Sequence, residues 1–244
     1  MIRLPAASTS VPDSSTGPTP SPAPVLVATG LEKRFGSTQA LRGIDFALGP
    51  GEIVAVMGPS GSGKSTLLHC LAGILAPDAG AVSFEGARID RLGENDRSRL
   101  RRTAFGFVFQ FGQLVAELSA LENVALPLLL NGLGRRDAQD AAAAWFPRLG
   151  LDGMERRRPG EMSGGQAQRV AVARALVAAP RIVFADEPTG SLDSLAGEQV
   201  MELLTTAASE QGTSVVLVTH EPRVAAFAER EVVVRDGRLS GLAS

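Results

Sequence analysis

The chain carries a single cysteine, Cys70, in 244 residues. An internal disulfide framework is thereby excluded and a reducing compartment fits; within an apolar helical run the thiol reads as core filler. An excess of one charge is also missing, since 24 Lys and Arg stand against 26 Asp and Glu, a net charge of −2. A nucleic-acid binder working through bulk charge needs a basic excess on one face, so no nucleic-acid partner is expected. No uninterrupted apolar run approaches the ~20 residues that a membrane span needs, and the first residues lack the apolar centre of a secretion signal. The expectation is a soluble, cytoplasmic protein. Histidine is scarce as well: His69 falls inside a helical run and receives no role, which leaves His220.

What is present is a 44% hydrophobic content, enough for one large domain or two small ones. Residues 1–24, rich in Pro, Ser and Thr, cannot bury apolar surface and read as a disordered tail. From Val25 the composition changes. Val25-Leu26-Val27 and the run Leu41, Ile44, Phe46, Leu48 read as strands, and Val82, Phe84 and Ile89 around Glu85-Gly86 as an antiparallel pair. Arg97–Arg102 reads as a basic helix with a solvated face. The section from about 112 to 160 is helical: Ser119-x-x-Glu122 is a capping box opening a helix over Leu121–Leu130, and Asp137–Leu149 is a second, alanine-rich helix. Its apolar residues either meet a partner or pack on the main core.

The stretch with most chemistry is Gly58-Pro59-Ser60-Gly61-Ser62-Gly63-Lys64-Ser65-Thr66. It fits G-x-x-x-x-G-K-[ST] and lies between an apolar run, Ile53–Met57, and a helical one with Leu67, Leu68, Leu71, Ile74 and Leu75. The glycines free the backbone so that successive N–H groups point at phosphates at a positive helix start. Lys64 would reach the β- and γ-phosphates, Thr66 would add a phosphate contact, and Ser65 would give its hydroxyl to Mg²⁺. The plainer alternative is a glycine-rich turn between core elements. A dinucleotide fingerprint is excluded because no third glycine follows Gly61-x-Gly63.

Other segments deliver polar residues to strand ends, where α/β sheets hold ligands. Phe105–Phe109 ends at Gln110, whose amide is placed to touch Mg²⁺ or its water. Arg181–Ala185 ends at Asp186-Glu187, a pair in which Asp186 would hold hydrated Mg²⁺ and Glu187 act as general base; two solvated carboxylates are the alternative. Val215–Val218 ends at Thr219-His220, so His220 would hydrogen-bond the γ-phosphate or be an ordinary loop residue. Ser163-Gly164-Gly165-Gln166 opens another apolar helix, either a second anion site or a simple cap. Ser191-Leu192-Asp193 opens a helix to about Ser209, and Asp236-Gly237 turns a closing hairpin. Phe35, between two strands, is either a nucleobase-stacking aromatic or core.

In this order, over residues 25–240, the segments resemble the nucleotide-binding subunit of ATP-binding cassette (ABC) transporters. The resemblance implies a P-loop NTPase of that α/β type: a mixed core sheet, an antiparallel β subdomain and an inserted helical subdomain at about 112–160. It makes Gly58–Thr66 the Walker A loop, Gln110 the Q-loop glutamine and Ser163-Gly164-Gly165-Gln166 the family signature. Asp186 and Glu187 become the Walker B aspartate and catalytic glutamate, Ser191-Leu192-Asp193 the D-loop, His220 the switch histidine and Phe35 the adenine-stacking aromatic. Met162 and Phe35 depart from the commoner Leu and Tyr without removing a catalytic group. The implied activity is Mg²⁺-dependent ATP hydrolysis. The implied partners are a second copy, paired head to tail so that each signature meets the other's ATP, and a transmembrane permease that would hold the protein at the inner face of the membrane. Phe107-Val108-Phe109-Gln110, followed by Leu118–Pro127, is most similar to the lipoprotein-release, macrolide-export and cell-division group (the LolD, MacB and FtsE type). Within it the chain drives transport or, alternatively, passes ATP-driven motion through a membrane partner to extracytoplasmic proteins. A DNA- or ribosome-directed cassette is disfavoured, with neither a coiled coil between the nucleotide motifs nor a second cassette in the chain.

Overall fold

The computed structural model describes residues 23–243. Residues 1–22, most of the expected tail, lie outside them; Ala23 and Pro24 are exposed and belong to no element. In chain order the elements are β1 (Leu26–Phe35), β2 (Thr38–Leu48), β3 (Ile53–Met57), α1 (Lys64–Leu71), β4 (Ala79–Phe84), β5 (Ala87–Arg88), α2 (Glu94–Thr103) and β6 (Phe105–Phe109). The helical section follows as α3 (Ala120–Leu130), α4 (Arg135–Ala143) and α5 (Phe146–Leu149), and then α6 (Gly164–Leu176). The chain closes with β7 (Ile182–Asp186), α7 (Ser194–Gln211), β8 (Ser214–Val218), α8 (Pro222–Ala225), β9 (Arg230–Arg235) and β10 (Arg238–Ala243).

Two sheets organise these elements. The first, in the order β2-β1-β4-β5, is wholly antiparallel, with Leu26 paired to Leu48 on one side and Phe84 on the other. The second runs β10-β9-β3-β8-β7-β6, parallel except for the β9–β10 hairpin. Its inner strands are almost unbroken apolar runs, as a parallel sheet covered on both faces requires. Alternate residues divide between two cores. Val54, Val56, Phe184, Val216 and Val218 meet Leu67, Leu68 and Leu71 of α1 and the buried face of the antiparallel sheet. Ile53, Val183, Ala185, Val215 and Leu217 face the other way, onto α6 and α7.

The helical section shares that second core. Ala120, Val124 and Ala125 of α3, Ala142 of α4 and Phe146 of α5 belong to one buried cluster with Val108, Val170 and Val183. Of the two destinations open to its apolar residues, most of them take the core. The capping box at Ser119 is present, with Glu122 N–H donating to Ser119 Oγ and Ser119 N–H to Glu122. Three sequence expectations need correction. The helix expected over Asp137–Leu149 is two helices, broken at Ala144-Trp145 because Pro147 has no N–H to continue the ladder. α1 stops at Leu71, and Gly73 at φ 64° turns the chain before Ile74 and Leu75. The basic face of α2 is not simply solvated, since Arg101 donates to the Gly73 carbonyl at 2.7 Å and pairs with Glu94.

Candidate nucleotide site

Sheet register assembles the site. Asp186 pairs with Phe109 on one side and Val218 on the other, and Val218 pairs with Val56. The strands run parallel, so the residues one or two steps further on emerge at one edge: Gly58, Gln110, Glu187 and His220. Four motifs far apart in sequence become neighbours because the parallel pairing of β3, β8, β7 and β6 ends these strands in register at one edge.

The loop after β3 has room for glycine alone at two places. A Cβ at Gly58 would lie 2.2 Å from the Val234 carbonyl oxygen, and one at Gly63 would lie 2.5 Å from the Ala40 carbonyl oxygen; φ is 143° and 109° respectively. Lys64 is buried, and its ammonium curls into the loop to donate to the carbonyls of Gly58 (2.8 Å) and Pro59 (3.0 Å). Ser62 Oγ is buried there too, without a partner among the described residues. A cleft of about 330 Å³ opens on Gly61–Thr66. Its far wall is Thr38, Gln39, Ala40 and Arg42 of β2 together with Asp236 and Gly237. Sequence reasoning missed those wall residues; the available signal was the density of glycine on both sides, Gly63 and Gly237 both approaching Ala40.

Ser65 Oγ donates to Asp186 Oδ1 at 3.2 Å, which joins the loop to the end of β7. Burial raises the Asp186 carboxyl above its ordinary pKa and Glu187 adds to the effect, while the Ser65 hydroxyl, His69 and Lys64 oppose it. The two oxygens are hard donors suited to Mg²⁺, an ion that completes its shell with phosphate oxygens and water. Among the described residues no cluster of three or more His, Cys, Asp or Glu offers an all-protein cage, so the donor set fits an ion shared with a phosphate ligand.

Glu187 turns out of the sheet at φ 49°, in the left-handed region, held by its N–H on the Val218 carbonyl and its carbonyl on the Gly190 N–H. Its carboxylate lies 3.0 Å from His220 Nδ1 through both oxygens. Glu187 is largely shielded and His220 exposed. The histidine therefore reaches the carboxylate with one ring nitrogen and retains the other. The Gln110 carboxamide, at the same sheet edge, lies against Gly190, where a Cβ would come within 2.9 Å of Nε2. Phe35 is 49% exposed at the end of β1, so the core alternative for it falls away.

Ser163 caps α6 in a reciprocal box with Gln166, and Asp193 caps α7 through Ala196 N–H. The loop Ser163–Gln166 and Ser191-Leu192-Asp193 line one cleft of about 290 Å³. None of its lining residues belongs to the cleft at Gly61–Thr66. One copy of the chain thus brings Lys64, Ser65, Asp186, Glu187 and His220 together and leaves Ser163 outside.

Residues 41–190 match the family model described as ABC transporter. The chain is 44% identical over 220 residues to the lipoprotein-releasing system ATP-binding protein LolD 2 of Caulobacter vibrioides, covering 88% of this chain and 96% of that protein. It is 43% identical over 223 residues to the macrolide export ATP-binding/permease protein MacB of Marinobacter nauticus, covering 90% of this chain but 34% of that longer protein. The dimeric post-hydrolysis state of the ATP-binding cassette MJ0796 bound to ADP and Pi is similar in structure, with a TM-score of 0.82 at 36% identity over 90% of this chain and 98% of that one.

Proposed function

Since the chain belongs to the ABC transporter family, we propose that it is the ATP-hydrolysing subunit of a transporter, closing as a dimer on ATP and driving a separate membrane permease. One observation carries the chemistry: along one sheet edge Ser65 meets Asp186 at 3.2 Å and His220 meets Glu187 at 3.0 Å, beside the buried Lys64. The loop amides and Lys64 bind the β- and γ-phosphates. Phe35 offers a ring face to the adenine, and Ser65 and Asp186 would hold Mg²⁺. When bound, that ion neutralises phosphate charge that one lysine and the amides leave uncompensated.

Glu187 takes a proton from the attacking water, whose oxygen bonds to the γ-phosphorus while the bond from that phosphorus to the bridging oxygen breaks and releases ADP. His220 Nδ1, 3.0 Å from both Glu187 oxygens, fixes the direction of the carboxylate; Nε2, carrying a proton, would donate to the γ-phosphate. Gln110, which lies against Gly190, would touch the metal or its water in the closed state.

The permease is read from the surface. A groove of about 590 Å³ runs between α2, β6, α3 and α6, floored by Phe107, Phe109 and Arg174 and walled by Ile74, Leu126, Pro127 and Leu130. Phe111 is 74% exposed and Leu130 57%. No helix among the described residues is long and apolar enough to cross a membrane, and the MacB relative is named as an ATP-binding and permease protein in one chain. A permease in that groove would keep this subunit at the inner face of the membrane.

Two substitutions test the roles. Lys64→Ala should weaken ATP binding measured by fluorescent-nucleotide titration. Glu187→Gln should keep ATP affinity while turnover falls by roughly 10²–10⁴-fold, as for loss of a positioned base. Native turnover in Glu187→Gln overturns the reading.

A further inference from the structure

The segment leaving β6 has an unusual tether. Within five residues, four backbone carbonyls are held by side chains from elsewhere. Gln168 Nε2 donates to Phe109 O at 2.8 Å, Ser191 Oγ to Gln110 O at 2.8 Å, and the Arg174 guanidinium to both Gly112 O and Gln113 O at 2.8 Å each. The remaining carbonyl, that of Phe111, accepts Gln113 N–H at 2.7 Å. Gln113 sits at φ 46°, a left-handed conformation that costs a residue with a side chain, beside Gly112, which takes φ 68° freely. Gly112 also approaches α6 so closely that a Cβ would come within 3.2 Å of Gln168 Oε1.

Arg174 is the odd member of this set. It is half-buried, forms no salt bridge among the described residues, and spends its fork of donors on two backbone carbonyls. Burial lowers its pKa from the ordinary arginine value. Loss of charge solvation on that scale has to be offset, and the two planar hydrogen bonds are what the structure offers. Arg174 and Gln168 both stand on α6, the helix headed by Ser163, and Arg174 also floors the apolar groove. One side chain therefore touches the groove, the helix and the loop behind Gln110.

We propose that Arg174, backed by Gln168, is a positioning residue that locks the Gln110 loop to the Ser163 helix and thereby sets how fast, rather than how tightly, ATP is used. The proposal rests on the reading of Gln110 given above. ATP affinity comes from the loop at Gly58–Thr66, which the clamp does not touch; the chance that Gln110 is correctly presented depends on its loop being held. Lysine at position 174 would keep the charge but lose the planar fork, and glutamine is too short to span both carbonyls.

The test is steady-state hydrolysis by the full chain in a double-mutant cycle. Arg174→Gln should lower kcat by about 5–30-fold with KM and ATP affinity within about twofold, Arg174→Lys falling between. In a Gln110→Ala background the same substitution should cost less than about twofold, because both changes act through one group. An equal loss in both backgrounds, a rise in KM with kcat unchanged, or no effect would overturn the proposal. Should Arg174→Gln lose its cooperative melting transition, Gln168→Met carries the same cycle, with the same outcomes deciding. Glu187→Gln, assayed alongside, reports on the site reading independently of the clamp.

Discussion

Glu187 combines strain with chemistry. A glutamate at φ 49° is held against its own preference by the Val218 and Gly190 hydrogen bonds, a cost on the order of 1 kcal/mol or more. Glycine removes that strain, so Glu187→Gly should unfold at the same or a higher temperature while hydrolysis falls by roughly 10²-fold or more; thermal melts and turnover on the same samples check both halves. A lower melting temperature would show that the turn is not strained. Asp90 gives a pH-dependent counterpart away from the site. Side-chain hydrogen bonding from Arg88 holds its carboxyl down to about 2, with the Val82 N–H assisting and burial opposing. A depressed carboxylate stabilises fully above its unfolded pKa of ~3.9 and loses that contribution as pH falls toward 2. Asp90→Asn should therefore cost ~1–2 kcal/mol at neutral pH, modest for charged hydrogen bonds because Arg88 is exposed. In urea denaturation the deficit should shrink between pH 4 and pH 3. Residue types in motif spacing made Lys64, Ser65, Asp186, Glu187 and His220 legible in the sequence. Thr38, Gln39 and Arg42 carry no such spacing, and they reach the cleft only because β2 of the other sheet packs over the loop. Strain at Glu187 was invisible for a related reason: φ is a property of the turn, not of the residue type.

At the level of elements, the strands and caps were written plainly. An apolar run before the glycine-rich loop gave β3, apolar runs ending in polar residues gave β6, β7 and β8, and Ser119-x-x-Glu122 gave the start of α3. Breaks inside helices were harder to read, because Pro147 competes with an alanine-rich pattern that carries straight through it. Exposure was harder still. Position alone selects Leu114 and Leu118, just beyond Gln110, for partner contact, yet both are half-buried and Leu114 packs against the main core; Phe111 and Leu130 carry the exposed apolar surface. The difference is testable. Leu130→Asp, on the wall of the groove, should abolish recovery of a membrane protein with the tagged subunit from detergent-solubilised membranes while leaving the melting curve and ATP affinity unchanged. Leu114→Asp should lower the melting temperature, by a buried-charge cost of roughly 2 kcal/mol or more. Recovery unaffected by Leu130→Asp would remove the groove from the permease interface.

For the molecule as a whole, the decisive feature is a separation. Ser163 and Asp193 share a cleft that has no residue in common with the cleft at Gly61–Thr66, while the chain is similar over 90% of its length to a cassette that is dimeric with ADP and Pi bound. A second copy would bring its Ser163 loop to the ATP that the first copy holds through Lys64. Glu187→Gln should trap that state by allowing ATP to bind without turning over, so light scattering of Glu187→Gln should give a dimer mass with ATP and a monomer mass without it. Adding Ser163→Arg should return the protein to monomer in ATP with the fold intact by circular dichroism. A double variant that still dimerises on ATP would contradict a site completed by the partner's Ser163.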